Sequence, residues 1–472
     1  MNTFTINSLG CKVNQYESQQ IRELLENSGL HKVSPPEKPD LVVINSCCVT
    51  HTASAKSRQC IRKIRKQSPN AVIIVSGCLP TVQIGELSAT DEDVHLIRNR
   101  SDLADTLSSI INNNAATLTA QRTQFCPDIT IKAKNRYKIK YKNGRGNPMW
   151  LPRAGTWASP YEDLPPLTSF EGQTRAFLKI QDGCDGYCSY CIVPKTRPFV
   201  RSKPVDEVLH EAQALVESGH REIVVTGIFL GAYGRQSVRR KNWPDQQNNH
   251  LADLLDKMAE IPNLARIRLS SLEPADLTPR LLDTLCQHPN IMPHLHLSLQ
   301  SGSDKILRKM CRQYRVEEFR EKVESAKSRL DRPAITTDII VGFPGETDAD
   351  FEQTVKMAKI IGFAKMHVFT FSPRKGTAAA DMQEPVDNIV IKERSQILRN
   401  LDIELGLKYR RQFIGETAEI LIEKDNGQRS GRSERYFTVY LNKTEKKQKR
   451  NSVVKVKLIE NRENGMAGAI AR

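Results

Sequence analysis

The sequence predicts an α/β chain built as an open parallel sheet, a partial (β/α)6 barrel and a small terminal β-barrel. Three observations predict it. Apolar runs alternate with helix-compatible stretches near the start, six further β-then-α units follow from Thr174, and short alternating strands close the chain after Gly406. A chain of 472 residues also exceeds the size at which one core stops growing, so several domains are required.

The early runs lie at 3–9, 41–45 and 71–76, separated by helical patterns at 15–28 and 53–66, which is the order of parallel strands in a covered sheet. Cys11, Cys47 and Cys78 each stand just beyond one run. Ligands of such folds gather at the carboxyl edge of the sheet, so cysteines far apart in sequence become neighbours there. This part spans 1–120. Residues 122–153 then carry nine basic side chains against one acidic, interleaved with Tyr137, Tyr141 and Trp150, and 121–170 reads as a basic linker or insertion.

From Thr174 the segments RAFLKI, REIVVTG, ARIRLSSLE, PHLHLSLQ, AITTDIIVG and AKMHVFTFS alternate with helical patterns at 205–218, 250–260, 277–286, 316–329 and 348–361. Six such units over 171–405 make a barrel or part of one, with its site at the carboxyl ends of the strands. In 406–472, TAEILIEK, YFTVYLNK and SVVKVKLIE alternate with period two, the pattern of a small all-β barrel. Residues 411–472 contain fourteen basic and eight acidic side chains, densest at KTEKKQKR. Arg432, Lys446, Lys447, Lys449 and Arg450 are the candidate RNA contacts. A solvated hairpin is the plainer alternative.

Cys184, Cys188 and Cys191 occupy eight residues directly after the first barrel strand, with Gly183 and Gly186 permitting the tight turns that wrap a cluster. Three thiolates on four irons leave one position open, suited to the amino and carboxylate groups of S-adenosylmethionine, whose cleavage then yields a carbon radical. Structural zinc requires a fourth ligand, and the closest histidine in sequence is His210. Two such triplets suggest two iron-sulfur clusters, each with an iron open for chemistry.

The formal charge of +16 and a pI near 9.3 favour a polyanionic partner, a nucleic acid before a membrane surface. No apolar stretch approaches the length that spans a bilayer, and the amino terminus lacks the basic segment and apolar stretch of a secretory signal. Reduced thiols in the cytoplasm are therefore expected, and a monomer is the simplest assembly.

C-x3-C-x2-C with Tyr190 before the last cysteine resembles the radical S-adenosylmethionine signature. The wider set SLGCKVNQYES, INSCCVT, VSGCLP, QDGCDGYCSYCIVP, TGIFLGAYG, RLSSLEP, HLSLQSGS, TDIIVGFPGET and FTFSPRKGT resembles the methylthiotransferases over nearly the whole chain. The CKVNQYES opening resembles the branch acting on threonylcarbamoyladenosine in tRNA, and the terminal barrel is similar to the TRAM domain. The resemblance implies that Cys184, Cys188 and Cys191 bind a radical-generating [4Fe-4S] cluster, while Cys11, Cys47 and Cys78 bind an auxiliary [4Fe-4S] cluster connected with sulfur delivery. It implies the adenosine 3′ of the anticodon as substrate, within the tRNA anticodon stem-loop, with an electron donor and a sulfur source as further requirements. Sister activities on isopentenyladenosine or a ribosomal-protein aspartate share these motifs, and a non-catalytic metal-containing RNA-binding protein is the alternative of another class.

Against this pattern Tyr190, Thr226, Gly227, Glu273, Gln300, Gly342 and Pro344 are the candidate cofactor contacts, and Asp338 is a candidate catalytic group at the substrate edge. Polar side chains that interrupt apolar strands face a ligand or one another, because burial without a partner is costly. Arg197, Arg201, Arg308, Arg312 and Arg374 are candidate partners for phosphate or carboxylate. Cys48 beside Cys47 reads as a packed thiol, since consecutive extended side chains point opposite ways, with a spare nucleophile near the sulfur chemistry as the alternative. Cys60 and Cys286 read as small buried hydrophobes, and the loop at 235–243 reads equally as RNA contact or solvated insertion.

Overall fold

The computed structural model describes residues 1–82, 94–97, 102–120, 164–245, 247–424, 429–442 and 449–471. Within 121–170 the expected linker lies outside the described residues up to 163, as does Cys126.

β-Branched runs make the first sheet. Strands β1 (Thr3–Ser8), β2 (His31–Lys32), β3 (Leu41–Ser46), β4 (Val72–Gly77) and β5 (Val94–Leu96) are all parallel, in the order β2-β1-β3-β4-β5. β3 is buried along its whole length, as a central strand covered on both faces must be. Helices α1 (Lys12–Asn27), α2 (His51–Gln67), the short α3 (Leu79–Val82) and α4 (Asp102–Ala120) complete the domain. Cys11 is the residue before α1, Cys47 follows β3, and Cys78 stands between β4 and α3. All three are therefore at the carboxyl edge.

The barrel strands are β6 (Ala176–Asp182), β8 (Glu222–Gly227), β9 (Arg266–Leu269), β10 (His294–His296), β11 (Ala334–Val341) and β12 (Lys365–Thr370), with an antiparallel edge strand β7 (Arg201–Ser202) beside β6. Single bridges at Ile267–Ile291 and Leu272–Leu297 join its two halves, giving six parallel strands in an incomplete barrel. The intervening helices are α5 (Val193–Thr196), α6 (Val205–Glu217), α7 (His250–Ala259), α8 (Pro279–Gln287), α9 (Asp304–Lys309), α10 (Val316–Arg329), α11 (Asp348–Ile361) and α12 (Asn388–Arg411). Their starts are written locally: Thr278, Ser303 and Thr347 accept the amides of Leu281, Ile306 and Asp350 as N-caps. Gly362, in the left-handed conformation at φ 66°, stops α11.

Helix α12 runs continuously through Gly406, where the domain change was expected, and the terminal barrel starts at Thr417. Its strands β13 (Thr417–Lys424), β14 (Ser430–Ser433), β15 (Thr438–Leu441), β16 (Val453–Arg462) and β17 (Gly465–Ile470) close as β13-β14-β15-β17-β16. The Ser-Gly-rich β14 and the Gly-Ala-rich β17 carry few β-branched residues, and closure of the barrel holds them as strands.

Buried charge welds the parts. Arg266 donates to the carbonyls of Arg432 and Glu419, and Arg268 to those of Glu434 and Ser433, while both pair with Glu222 under the terminal barrel. Burial alone would raise the Glu222 carboxyl, but Arg268, Arg175 and Arg266 together hold it below its ordinary value. On the other side α1 packs on β6 and β8. Tyr16 donates to Glu211 at 2.6 Å and accepts from Lys203 at 2.8 Å.

Candidate cluster and cofactor site

The loop after β6 places Cys184, Cys188 and Cys191 at the carboxyl end of the barrel. The Cys184 amide donates to the Arg197 carbonyl at 2.8 Å, the Gly186 amide to Cys184 Sγ at 3.3 Å, and the Cys191 amide to the Cys188 carbonyl at 3.0 Å. Gly183 sits at φ 78°, and a Cβ there would stand 1.7 Å from the Phe199 carbonyl oxygen. Gly183→Ala is accordingly expected to displace the loop and lower iron and sulfide content per chain after anaerobic reconstitution, with iron loading equal to that of the unmodified protein as the contrary result.

Burial pushes the thiols of Cys184 and Cys191 up to about 12, with neighbouring cysteines adding to the shift. Burial likewise raises Cys188, against the Arg312 guanidinium, which donates to Cys188 Sγ at 3.2 Å. Three thiols on one short loop, with the Arg312 guanidinium against Cys188, make a soft donor set that fits a metal centre.

The second triplet assembles as its strand positions predict. Cys47 is pushed up to about 11 by burial and then by the neighbouring Cys78 and Cys11, and Cys11 is raised by burial. Gly10 lies against Cys47, where a Cβ would be 2.7 Å from the Cys47 Cβ. Cys48 is fully buried, and its thiol donates to the Cys78 carbonyl at 3.3 Å. It is a packed thiol.

The triplets also meet each other. Cys78 is close enough to Cys191 to raise it, and Arg197 acts on Cys11, Cys47 and Cys78. Arg197 is 1% exposed and its fork is taken by Glu17 at 2.7 and 2.8 Å, Asp182 at 2.7 Å and Asn14 at 3.2 Å. It thus joins α1 to the cluster loop and is not directed at a phosphate. Arg374 is similarly internal, donating to Ser54 Oγ at 2.8 Å. Arg201 lies over the Phe199 ring, and Arg308 is exposed on α9.

A cavity of about 160 Å³ opens beside the compact triplet, lined by Cys184, Cys188, Tyr190, Cys191, Glu273, Gln300 and Arg312, among others. Tyr190 packs edge-on to Phe343. Glu273 takes Arg312 at 2.6 Å and Arg240 at 3.6 Å, and its Oε2, although buried, has no hydrogen-bond partner. Such an orphaned acceptor suits the amino group of a bound ligand. Gln300 holds the left-handed φ of 62°, a conformation costly for a residue with a side chain.

Several expected contacts lie elsewhere. Thr226 is buried and Gly227 packs on Gln181; among the described residues the cavity wall on that strand is Ile228, Phe229 and Leu230. Gly342 and Pro344 shape a buried turn, in which the Gly342 amide donates to Glu346 Oε2 at 2.8 Å and a Cβ on Gly342 would strike Ile391. Asp338 is partly buried on β11 and pairs with His296 at 3.2 Å. Cys60 is half-buried, but Cys286 is exposed, because α8 turns it away from the core. Cys311, unassigned by spacing, lines the cavity.

The RNA candidates divide in the same way. Arg432 donates to the Tyr436 carbonyl at 3.0 Å and pairs with Glu423, so its guanidinium serves the barrel. Arg450 ties the terminal barrel to Thr174 and Gly172, each at 3.0 Å. Lys449 is exposed; Lys446 and Lys447 lie outside the described residues. The loop at 235–243 folds onto the cluster loop: Arg239 Nε donates to the Asp185 carbonyl at 2.6 Å, and its guanidinium lies 3.8 Å from the Tyr187 ring centroid. Helix α2, read as a plain helix, gathers Arg58, Arg62, Lys63 and Lys66 on one surface. The i, i+4 spacing of Arg58, Arg62 and Lys66 was the available signal.

Residues 178–358 match the radical SAM superfamily, and 3–98 match uncharacterized protein family UPF0004. The threonylcarbamoyladenosine tRNA methylthiotransferase of Chlamydia pneumoniae is 35% identical over 99% of this chain and 98% of its own. The chain belongs to the radical S-adenosylmethionine methylthiotransferases. A protein of the same name from Bacillus subtilis is 34% identical over 98% of this chain and 94% of its own. Among solved structures, the radical S-adenosylmethionine methyltransferase TsrM of Kitasatospora setae superposes with a TM-score of 0.50 at 14% identity, covering 79% of this chain and 74% of that one. That likeness is one of fold.

Proposed function

We propose that this methylthiotransferase acts on N6-threonylcarbamoyladenosine 3′ of the anticodon in tRNA and installs a methylthio group at carbon 2 of the purine. The observation that carries the reading is the meeting of two cysteine triplets, Cys47 and Cys78 buried and the others partly open, on the carboxyl edges of two parallel sheets, in a chain matching threonylcarbamoyladenosine enzymes over almost its full length. Cys184, Cys188 and Cys191 would hold one [4Fe-4S] cluster and Cys11, Cys47 and Cys78 the other. When bound, the first supplies reductive cleavage of S-adenosylmethionine and the second a place for sulfur.

The protein's own work is placement and charge. Arg312 links Cys188 to Glu273, so the thiolate face and the carboxylate share one fixed cation. Glu273 and Gln300 would offer acceptors to the methionyl end of the cofactor, in a cavity that Tyr190 also lines. Arg197 ties α1 to the barrel, which would keep the two centres near one another. The basic stripe on α2 and Lys449 offer contacts to the anticodon stem-loop backbone. No described helix is long and apolar enough to cross a membrane. The enzyme would work as a cytoplasmic monomer supplied with an external electron donor and sulfur source.

Mass-spectrometric profiling of tRNA nucleosides, with and without the active protein, tests this directly. The methylthio derivative of threonylcarbamoyladenosine should appear with the protein and vanish without it. Appearance of the isopentenyladenosine derivative instead would replace the substrate, and no change in either nucleoside would refute the assignment.

A further inference from the structure

Strands β10, β11 and β12 carry a polar group that neither triplet uses. His296, Asp338 and His367 each bring one ligand-type atom to within 4.8 Å of the others. Register puts them together: Asp338 stands directly opposite His367, and His296 is opposite Thr336, two residues before Asp338 and therefore on the same face of the sheet. The His296 and His367 ring centroids are 5.7 Å apart, and His296 Nε2 lies 3.2 Å from Asp338 Oδ2. The group is open to an entering ion, since His367 is exposed and the side chains of Asp338 and His296 keep 27% and 13% of their surface.

The far side of the His296 ring decides what its near side offers. Thr336 Oγ1 is 2.9 Å from His296 Nδ1 and 3.0 Å from His294 Nε2. A hydroxyl oxygen has two lone pairs and can accept from both rings, and with Nδ1–H so taken, His296 turns the lone pair of Nε2 toward Asp338. Two acceptors then face each other across 3.2 Å, which requires a proton or a metal ion in their company. The separation suits a metal: bonds of about 2.0 to 2.2 Å in tetrahedral directions hold neighbouring donors about 3.4 Å apart. A proton would serve the His296–Asp338 pair alone and leave His367, whose ring has no hydrogen-bond partner among the described residues, without a part. A metal ion uses all three.

We propose that His296, Asp338 and His367 form a binding site for one divalent first-row transition ion, of the zinc or ferrous class, separate from both cysteine triplets. Two imidazoles and one carboxylate suit these borderline ions, whereas magnesium and calcium call for more oxygen donors than the group supplies. Thr336 holds the outer nitrogen of His296, as the hydrogen-bond partners of metal-bound histidines do. Three protein ligands leave a coordination position for water or for an oxygen of a bound molecule. The place adjoins the cofactor cavity by a single backbone bond, from the amide of the cavity-lining Gln300 to the Asp338 carbonyl at 2.8 Å. The inference does not depend on which nucleoside is methylthiolated, so the two readings stand or fall separately.

The test is equilibrium dialysis of the full chain, reconstituted anaerobically with iron and sulfide, against buffered Zn2+, with zinc and iron per chain read by plasma mass spectrometry. At equal iron content the unsubstituted protein should hold one more zinc per chain than His367→Gln, and Asp338→Asn should bind that zinc about 10-fold more weakly or worse. Zinc content equal in the unsubstituted protein and both variants overturns the proposal, as does an unsubstituted protein that retains no zinc. Because zinc also binds thiolates, the zinc-edge X-ray absorption spectrum of the unsubstituted protein is the second measurement. Nitrogen and oxygen neighbours at about 2.0 to 2.2 Å are expected, whereas sulfur neighbours at about 2.3 Å would put the zinc on cysteines and overturn the site. Should a variant lose iron or fail to fold, that spectrum decides.

Discussion

Cys184→Ala is expected to abolish cleavage of S-adenosylmethionine to 5′-deoxyadenosine, whereas Cys11→Ala retains cleavage and loses methylthiolation. The asymmetry follows from position. Cys184 belongs to the triplet that shares a cavity with Glu273, Gln300 and Arg312, while Cys11 stands before α1 in the amino-terminal domain and does not line that cavity. Anaerobic assay of 5′-deoxyadenosine, together with nucleoside analysis of the tRNA, reads both activities from one reaction. Equal loss of cleavage in the two variants would show that the triplets do not divide the work.

Arg197→Met carries the second large effect, this time on stability. Removing the guanidinium leaves Glu17 and Asp182 facing each other at 6% exposure or less, with Lys179 as the nearby cation at 3.6 and 3.4 Å. Breaking one side of a buried charge network typically costs about 3–5 kcal/mol, because the abandoned charges stay desolvated. The midpoint of thermal unfolding should fall, and both triplets should load less iron, since α1 and the cluster loop lose their common tie. Arg197→Lys keeps the charge without the fork and should lie between the two. A midpoint unchanged in Arg197→Met would mean that the interface is held by packing alone.

The two cysteine groups are legible in the sequence as patterns. A cysteine just past each of three strands has only one place to go in a parallel sheet, and a C-x3-C-x2-C loop after a barrel strand is local by construction. Helix and strand periods were equally plain where apolar side chains repeat, as in 316–329 and 348–361, which match α10 and α11 residue for residue. Strands β14 and β17 were not legible, because small residues carry no period and become strands only by closing a barrel.

What failed was the assignment of charged side chains to ligands. Arg197, Arg374, Arg432 and Arg450 all read as open cations, yet Arg197, Arg374 and Arg450 are each engaged by a partner between 180 and 320 residues away, and Arg432 by its own barrel. Sequence spacing reports which side chains share a helix or strand face. It does not report which carboxylate another domain brings opposite.

By itself, then, the chain's order of residues decided the class of chemistry: six thiols at two kinds of strand end, on scaffolds whose periods are local. Tertiary structure alone decided that Arg197 ties α1 to the end of the first barrel strand through Glu17 and Asp182, and that Arg312 bridges thiol and carboxylate. The reason is physical. Periodicity and loop chemistry act over a few residues, whereas the pairing of buried charges is settled only when separate domains exclude water between them.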